Sequence, residues 1–448
     1  MKKYEIDMCS GSVFQKMLIF AVPLMFSSIL QLLFNAADIV VVGRFAGDNA
    51  LAAVGSNGAL INLITNLFIG MSIGTNVLTA QYYGAKKESD LKETVHTSML
   101  LSVYSGVLLT IIGIVCAKFL LELMQAPEEV LDLAVLYLRI YFLGMTSTMV
   151  YNFGSAILRA VGDTKRPLYY LLGAGIINVL LNLFFVIVCK MGVAGVAVAT
   201  AVSQTVSAVL VVRCLMLEQS GIHLDLKSLA ITKEKFGKIL RIGLPAGFQG
   251  MVFSLSNVVI QSAVNSFGAI AVAGNSAASN LEGFVYMAMN AFYQATISFT
   301  SQNYGAREYR RIYRILLAGE IYVVATGVLL GNLMVFFGEF LLGIYSPSAQ
   351  VIAAGMDRMR IICTVYALCG VMDVLVGALR GIGYSVIPMV VSLIGACGLR
   401  LLWIATIFKI PQYHNLTTVY LSYPITWTIT LSVHALTFVI AGYKSLRT

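Results

Sequence analysis

Charge is scarce in this sequence. Only 11% of its 448 residues are Asp, Glu, Lys or Arg, against 58% that are apolar, where a soluble domain carries about 25% charged residues. With a mean hydropathy of +0.85, that scarcity excludes a water-soluble globular chain and leaves a polytopic membrane protein. Paired cysteines and clustered histidines are missing too. The seven cysteines (Cys9, Cys116, Cys189, Cys214, Cys363, Cys369, Cys397) include no C-x-x-C pair and sit mostly inside apolar runs, and His96, His223, His414 and His434 show no H-x-x-x-H spacing. These absences exclude a disulfide frame and a recognisable metal centre. No nucleophile-and-base pairing accompanies them, so no enzymatic activity and no cofactor is expected. The amino terminus, MKKYEIDMCSGSVFQKM, lacks a short apolar core followed by a small-residue cleavage site. The first apolar run is therefore expected to be retained.

Apolar runs fall at 16–42, 50–80, 94–121, 131–158, 167–189, 192–216, 239–266, 270–300, 312–338, 351–379, 386–409 and 417–442. Roughly 20 apolar residues cross a hydrocarbon core of about 30 Å as a helix, so twelve transmembrane helices are expected. The expected organisation is an amino-terminal bundle at 1–216, a cytoplasmic linker at 217–238 and a carboxy-terminal bundle at 239–448. In the polar linker, Ile222, Leu224, Leu226, Leu229, Ile231 and Phe236 are spaced to lie along a membrane surface.

The two halves repeat. At an offset of 221, Gln81-Tyr82-Tyr83-Gly84-Ala85 falls on Gln302-Asn303-Tyr304-Gly305-Ala306, and Leu138-Arg139-Ile140 on Met359-Arg360-Ile361. Leu158-Arg159-Ala160-Val161-Gly162 with Pro167 falls on Leu379-Arg380-Gly381-Ile382-Gly383 with Pro388, and Pro23 matches Pro245 at 222. Six helices per half is an even number. Both halves then enter the bilayer in the same sense, as parallel repeats related by a pseudo-two-fold axis along the membrane normal.

With the amino terminus inside, the inner segments hold 22 of the 30 lysines and arginines and the outer segments seven, with Arg400 in mid-run. The positive-inside bias places both termini in the cytoplasm. The net charge of +9 is a topology signal with some attraction to anionic lipid, and no nucleic-acid partner is indicated.

Polar groups inside these runs need a purpose. A carboxylate in lipid costs on the order of 3 kcal/mol, so Asp38, near the outer end of the first run, is expected to face a protein interior. Asn178 and Asn182 share one face by their i, i+4 spacing, and Thr200 comes to mid-depth. Together the four suit proton exchange, or coordination of a small cation through oxygen. They also suit plain interhelical hydrogen bonding. Pro23 breaks a helical hydrogen bond and offers the first run a place to bend. In the second half, Glu282, Glu320, Asp373 and Arg400 lie within runs, and the same offset puts no charge opposite them in the first. Arg400 is expected to pair with one of these acids. An unpaired Glu282 or Asp373, with Tyr151, Phe284, Tyr286 and Met287 as ring and thioether surfaces, would receive a lipophilic cation.

These motifs together, Pro23 with Asp38-Ile-Val-Val-Val-Gly43-Arg44, Gln81–Ala85, Leu158–Asp163 and their second-half copies, resemble the multidrug and toxic compound extrusion (MATE) transporters over nearly the whole chain. The resemblance implies two six-helix bundles in a V and an alternating-access exporter of amphipathic organic cations, driven by protons or sodium ions. It implies an ion site at Asp38, Asn178 and Thr200. Asn182 stands where the family pattern has a second acid, which favours protons over sodium. The resulting expectation is an antiporter of a prokaryotic inner membrane, acting as a monomer. The alternative is a lipid-linked precursor flippase of the same superfamily, which would need an arginine-rich cavity.

Overall fold

A computed structural model of the chain describes residues 4–124 and 128–446, which contain helices and no strand. Lys2, Lys3 and Arg447 of the charge count lie outside the described residues. In chain order the helices are α1 (Val13–Phe45), α2 (Asp48–Gly84), α3 (Glu88–Leu123), α4 (Glu128–Leu143), α5 (Met145–Ala160), α6 (Lys165–Leu183), α7 (Val193–Leu217) and α8 (Lys233–Asn265). They continue as α9 (Ala269–Gly305), α10 (Tyr309–Phe336), α11 (Gly338–Tyr345), α12 (Ala349–Ile362), α13 (Ala367–Gly381), α14 (Val386–Ser392), α15 (Leu399–Ala405) and α16 (Leu416–Ser445). Short π segments at Phe184–Val188 and Leu393–Gly398 extend α6 and join α14 to α15.

Nine spans among the described residues are long and apolar enough to cross a membrane, and two bent pairs raise the number to 11. The pairs are α4 with α5 and Ala349–Val365 with α13, each bent by 45°. The runs at 131–158 and 351–379 are thus each two helices. Gly144 separates the first pair and a 3₁₀ turn, Cys363–Val365, interrupts the second. At 37 residues α9 matches α2 in length, but it is more polar and falls outside that count.

The repeated motifs are helix stops. After α2, the amide of Lys87 bonds to the Tyr82 carbonyl and that of Lys86 to Tyr83; after α9, Glu308 bonds to Asn303 and Arg307 to Tyr304. After α5, Asp163 reaches Leu158 and Gly162 reaches Arg159; after α13, Tyr384 reaches Leu379 and Gly383 reaches Arg380. All four are Schellman closures, whose penultimate residue must be left-handed. That residue is Gly162 (φ 93°) or Gly383 (φ 97°) in one motif, and Lys86 (φ 55°) or Arg307 (φ 61°) in the other. The glycines of the first motif, Gly84 and Gly305, are simply the last helical residues.

The chain forms two units, one of residues 1–7 with 26–247 and one of 8–25 with 248–448. The boundary in α1 falls after Met25 and that in α8 after Gly247, in each case two residues beyond a proline, Pro23 or Pro245. In the first unit the linker packs inward rather than along a membrane surface. Ile222 and Leu224 are fully buried, and the Asp225 amide donates to His96 Nε2 (3.2 Å) while that of Thr232 donates to Thr97 Oγ1 (3.0 Å). Only Leu226 and Ile231 of the expected apolar stripe are well exposed. The side chains of His96 and Thr97 on α3 decide this, because they accept from the linker backbone and hold it at fixed points.

Candidate ion and ligand sites in the two units

The first unit brings Asp38, Asn178, Asn182 and Thr200 together from three helices. Asp38 on α1 is buried, as are Asn178 and Asn182 on α6. The Asn182 amide donates to Asp38 Oδ1 and to Asn178 Oδ1 (3.2 Å), and the Asn178 amide donates to Thr200 Oγ1 (3.4 Å). Thr200 Oγ1 donates to the second carboxylate oxygen of Asp38 at 3.5 Å, which closes the ring of four side chains. Among the described residues one oxygen in the ring has no hydrogen-bond donor, the buried Asn182 Oδ1. Such an acceptor beside a carboxylate is what a small hard cation uses.

Packing brings α1 and α6 close enough for this. A Cβ on Gly175 would lie 1.8 Å from the Phe34 ring, so only glycine fits there. Phe34 is one turn before Asp38, and Gly175 is one turn before Asn178. The π segment Phe184–Val188 starts two residues after Asn182, and π turns recur at functional positions in helices. Tyr137 and Tyr141 on α4 lie in the field of Asp38 and stack at 5.9 Å. Tyr137 was not legible as a neighbour of the site, although its i, i+4 spacing to Tyr141 was visible.

The second unit corrects the expected charge pairing. Glu282 is paired with Arg358, not Arg400: Arg358 Nε donates to Oε1 at 2.8 Å and Nη2 to Oε2 at 2.7 Å, while Nη1 donates to Asn275 Oδ1 at 2.8 Å. Glu282 therefore offers no free carboxylate to a ligand cation. Arg358 is one of the seven lysines and arginines that the charge count places in the outer segments. Its spacing to Gly355, Met359 and Ile362, all buried, marks it as a member of the inward face of α12. Arg400 is buried as well, but its guanidinium lies 4.0 Å over the Tyr423 ring and donates to Thr426 Oγ1 at 3.2 Å. Among the described residues no acid lies within ion-pair distance of it.

The other expected ligand residues divide. Tyr286 and Glu282 line a pocket with Ser279 and Gly283, positions that share one face of α9. Phe284 and Met287 point off that face, because they stand about 200° and 100° around the helix from Glu282 and Tyr286. Asp373 on α13 lies near Tyr286 and does not itself line the space. Tyr151 is a core side chain of the first unit instead of a ligand surface, its hydroxyl donating to the Pro167 carbonyl at 3.1 Å. Glu320 on α10 has both carboxylate oxygens buried without a hydrogen-bond partner among the described residues. No group of three His, Cys, Asp or Glu side chains placed to hold a metal occurs among the described residues.

The MatE family model matches the chain twice, at residues 23–184 and again at 245–405. The chain belongs to the MATE family. Each match opens on one of the two prolines, Pro23 and Pro245, so the internal repeat and the family pattern share a register. A relative from Bacillus subtilis, the probable multidrug resistance protein YoeA, is 28% identical over 429 residues, covering 94% of this chain and 92% of its own. Two solved structures share the fold. A crystal structure of MATE in complex with MaL6 superposes with a TM-score of 0.93 at 22% identity. The outward-facing conformation of a multidrug resistance MATE family transporter superposes at 0.92 with 22% identity, and both comparisons cover 100% of each chain. MATE chains are multi-pass membrane transporters of small molecules, and this chain is one of them.

Proposed function

We propose that this MATE chain is a secondary active exporter that trades a proton for an amphipathic organic cation at Asp38. The supporting observation is the ring of Asp38, Asn178, Asn182 and Thr200, of which the first three are buried and Thr200 half-buried. It holds one carboxylate and three neutral groups. A single acid is discharged by a single proton, whereas a sodium ion at the same place would have only one negative charge to balance its lost hydration. Substrate binds with Asp38 ionised and leaves when a proton takes the carboxylate, with α1 bending at Pro23 between the two states. One-for-one exchange of a proton for a monovalent cation moves no net charge across the membrane, so the pH gradient drives it, at about 1.4 kcal/mol per pH unit. The termini are cytoplasmic, the membrane is the inner membrane of a prokaryote, and the monomer is sufficient.

Asp38→Asn tests this. In proteoliposomes, export of a fluorescent cation driven by an imposed proton gradient falls to the protein-free rate, while the variant elutes from a sizing column as the parent does. Normal proton-driven export by Asp38→Asn would end the proposal. Export driven by a sodium gradient alone would replace the proton with sodium.

A further inference from the structure

The second unit has a half-open pocket of about 300 Å³ lined by the polar side chains Asn257, Gln261 and Ser279 and by the rings Tyr366, Tyr423 and Trp427. Tyr366 and Trp427 stack at 5.4 Å with planes 28° apart, and Tyr423 meets Trp427 edge-on at 5.6 Å. A slot with ring walls and an amide edge accepts a flat aromatic body that carries hydrogen-bonding groups.

The charged side chains that line this slot cancel, and the nearest uncompensated charge, Arg400, is positive and stands behind Tyr423 outside the lining. Arg358 neutralises Glu282, and Asp373, behind Tyr286, lies in the field of Arg380. That leaves Arg400, 2% exposed, with its Nε unpartnered and no acid in ion-pair distance among the described residues. The aromatic wall is already committed to cations as well. The Tyr423 ring has the Arg400 guanidinium 4.0 Å from its centroid and that of Arg358 at 5.3 Å. A ligand cation would find the ring quadrupole taken and would meet two like charges.

We propose that this pocket binds flat aromatic compounds carrying a carboxylate. The ring lies along Tyr366 and Trp427, and the carboxylate accepts from the Asn257 amide and the Ser279 hydroxyl in the field of Arg400. All of these groups belong to the second unit, so the site goes beyond Asp38 exchange and stands without it.

Trp427 reports on the site, because the only other tryptophan is Trp403. In the Trp403→Phe background, purified in neutral detergent, Trp427 fluorescence is titrated with 4-nitrobenzoate and with 4-nitrobenzylammonium, quenchers alike in ring and opposite in charge. Nitrobenzoate quenches saturably, and the ammonium compound quenches only linearly by collision. Arg400→Gln weakens nitrobenzoate about tenfold, the order of effect expected for one lost charge at an effective dielectric of about 20, and Arg400→Lys restores most of the affinity. Should Arg400→Gln fail to fold, Asn257→Asp places a negative charge in the same space and weakens nitrobenzoate at least as much. Saturable binding of the ammonium compound at equal or lower concentration overturns the proposal. So does nitrobenzoate binding that neither Arg400→Gln nor Asn257→Asp changes.

Discussion

Replacing Arg358 with methionine leaves the Glu282 carboxylate buried with neither of its two charge-assisted bonds, which costs about 3–5 kcal/mol for a broken buried pair. The variant is expected to melt well below the parent in detergent. The double variant Glu282→Leu with Arg358→Met, having no orphan charge, recovers most of that loss. Equal melting of the single variant and the parent would show the pair to be solvated. Which arginine meets which acid was not readable along the sequence. Both Arg358 and Arg400 sit in mostly apolar surroundings, and 76 residues separate Glu282 from its partner. The three-dimensional address came from the buried face of α12, a 3.6-residue pattern that the charge of Arg358 hid when basic residues were sorted by membrane side. Asp38 was easier to locate. An acid within a long apolar run has few places to go, and Asn178 and Asn182 declare a shared face by spacing alone.

On the scale of helices, the contact of Gly175 with Phe34 sets how near α6 comes to α1. A leucine at position 175 must displace that ring, since even its Cβ would lie 1.8 Å away. The helices then part, and the bonds from Asn182 and Thr200 to Asp38 lengthen beyond use. Gly175→Leu is expected to lose proton-driven export as fully as Asp38→Asn does. Adding Phe34→Ala, which opens the room the leucine needs, is expected to restore a measurable part of it. Failure of the second substitution to restore any export, in a protein that folds, would mean that the spacing is not what the site depends on. The repeated motifs belong to this scale as well. They could be aligned from the sequence but not interpreted, because the conspicuous glycine of Gln81–Ala85 is not the residue in the left-handed turn. Lys86 is, and a left-handed lysine has no signature in composition. The bends at Gly144 and at Cys363–Val365 were similarly invisible inside runs that stayed apolar throughout.

Taken as a molecule, the chain repeats its backbone events at the offset its sequence announces. Gly47 and Gly268, Lys86 and Arg307, and Gly162 and Gly383 are three pairs of left-handed residues, each 221 positions apart. The two helix pairs bent by 45° start at Glu128 and Ala349, again 221 apart. A half that crosses the bilayer an even number of times must put each member of a pair on the same side as its partner. The charge bias assigns the Lys86 and Arg307 turns to the cytoplasm. Single cysteines introduced into a cysteine-free background test both statements together. Glu88→Cys and Glu308→Cys are expected to react with a membrane-impermeant maleimide only after the cells are permeabilised. Lys190→Cys and Gln412→Cys, in the segments assigned to the exterior, are expected to react in intact cells. Opposite behaviour of positions 88 and 308 would make the repeats antiparallel and remove the argument that the two halves cross the membrane in the same sense. Matched but inverted behaviour would keep the parallel repeats and reverse the orientation, so that Asp38 would take up its proton from the cytoplasmic side.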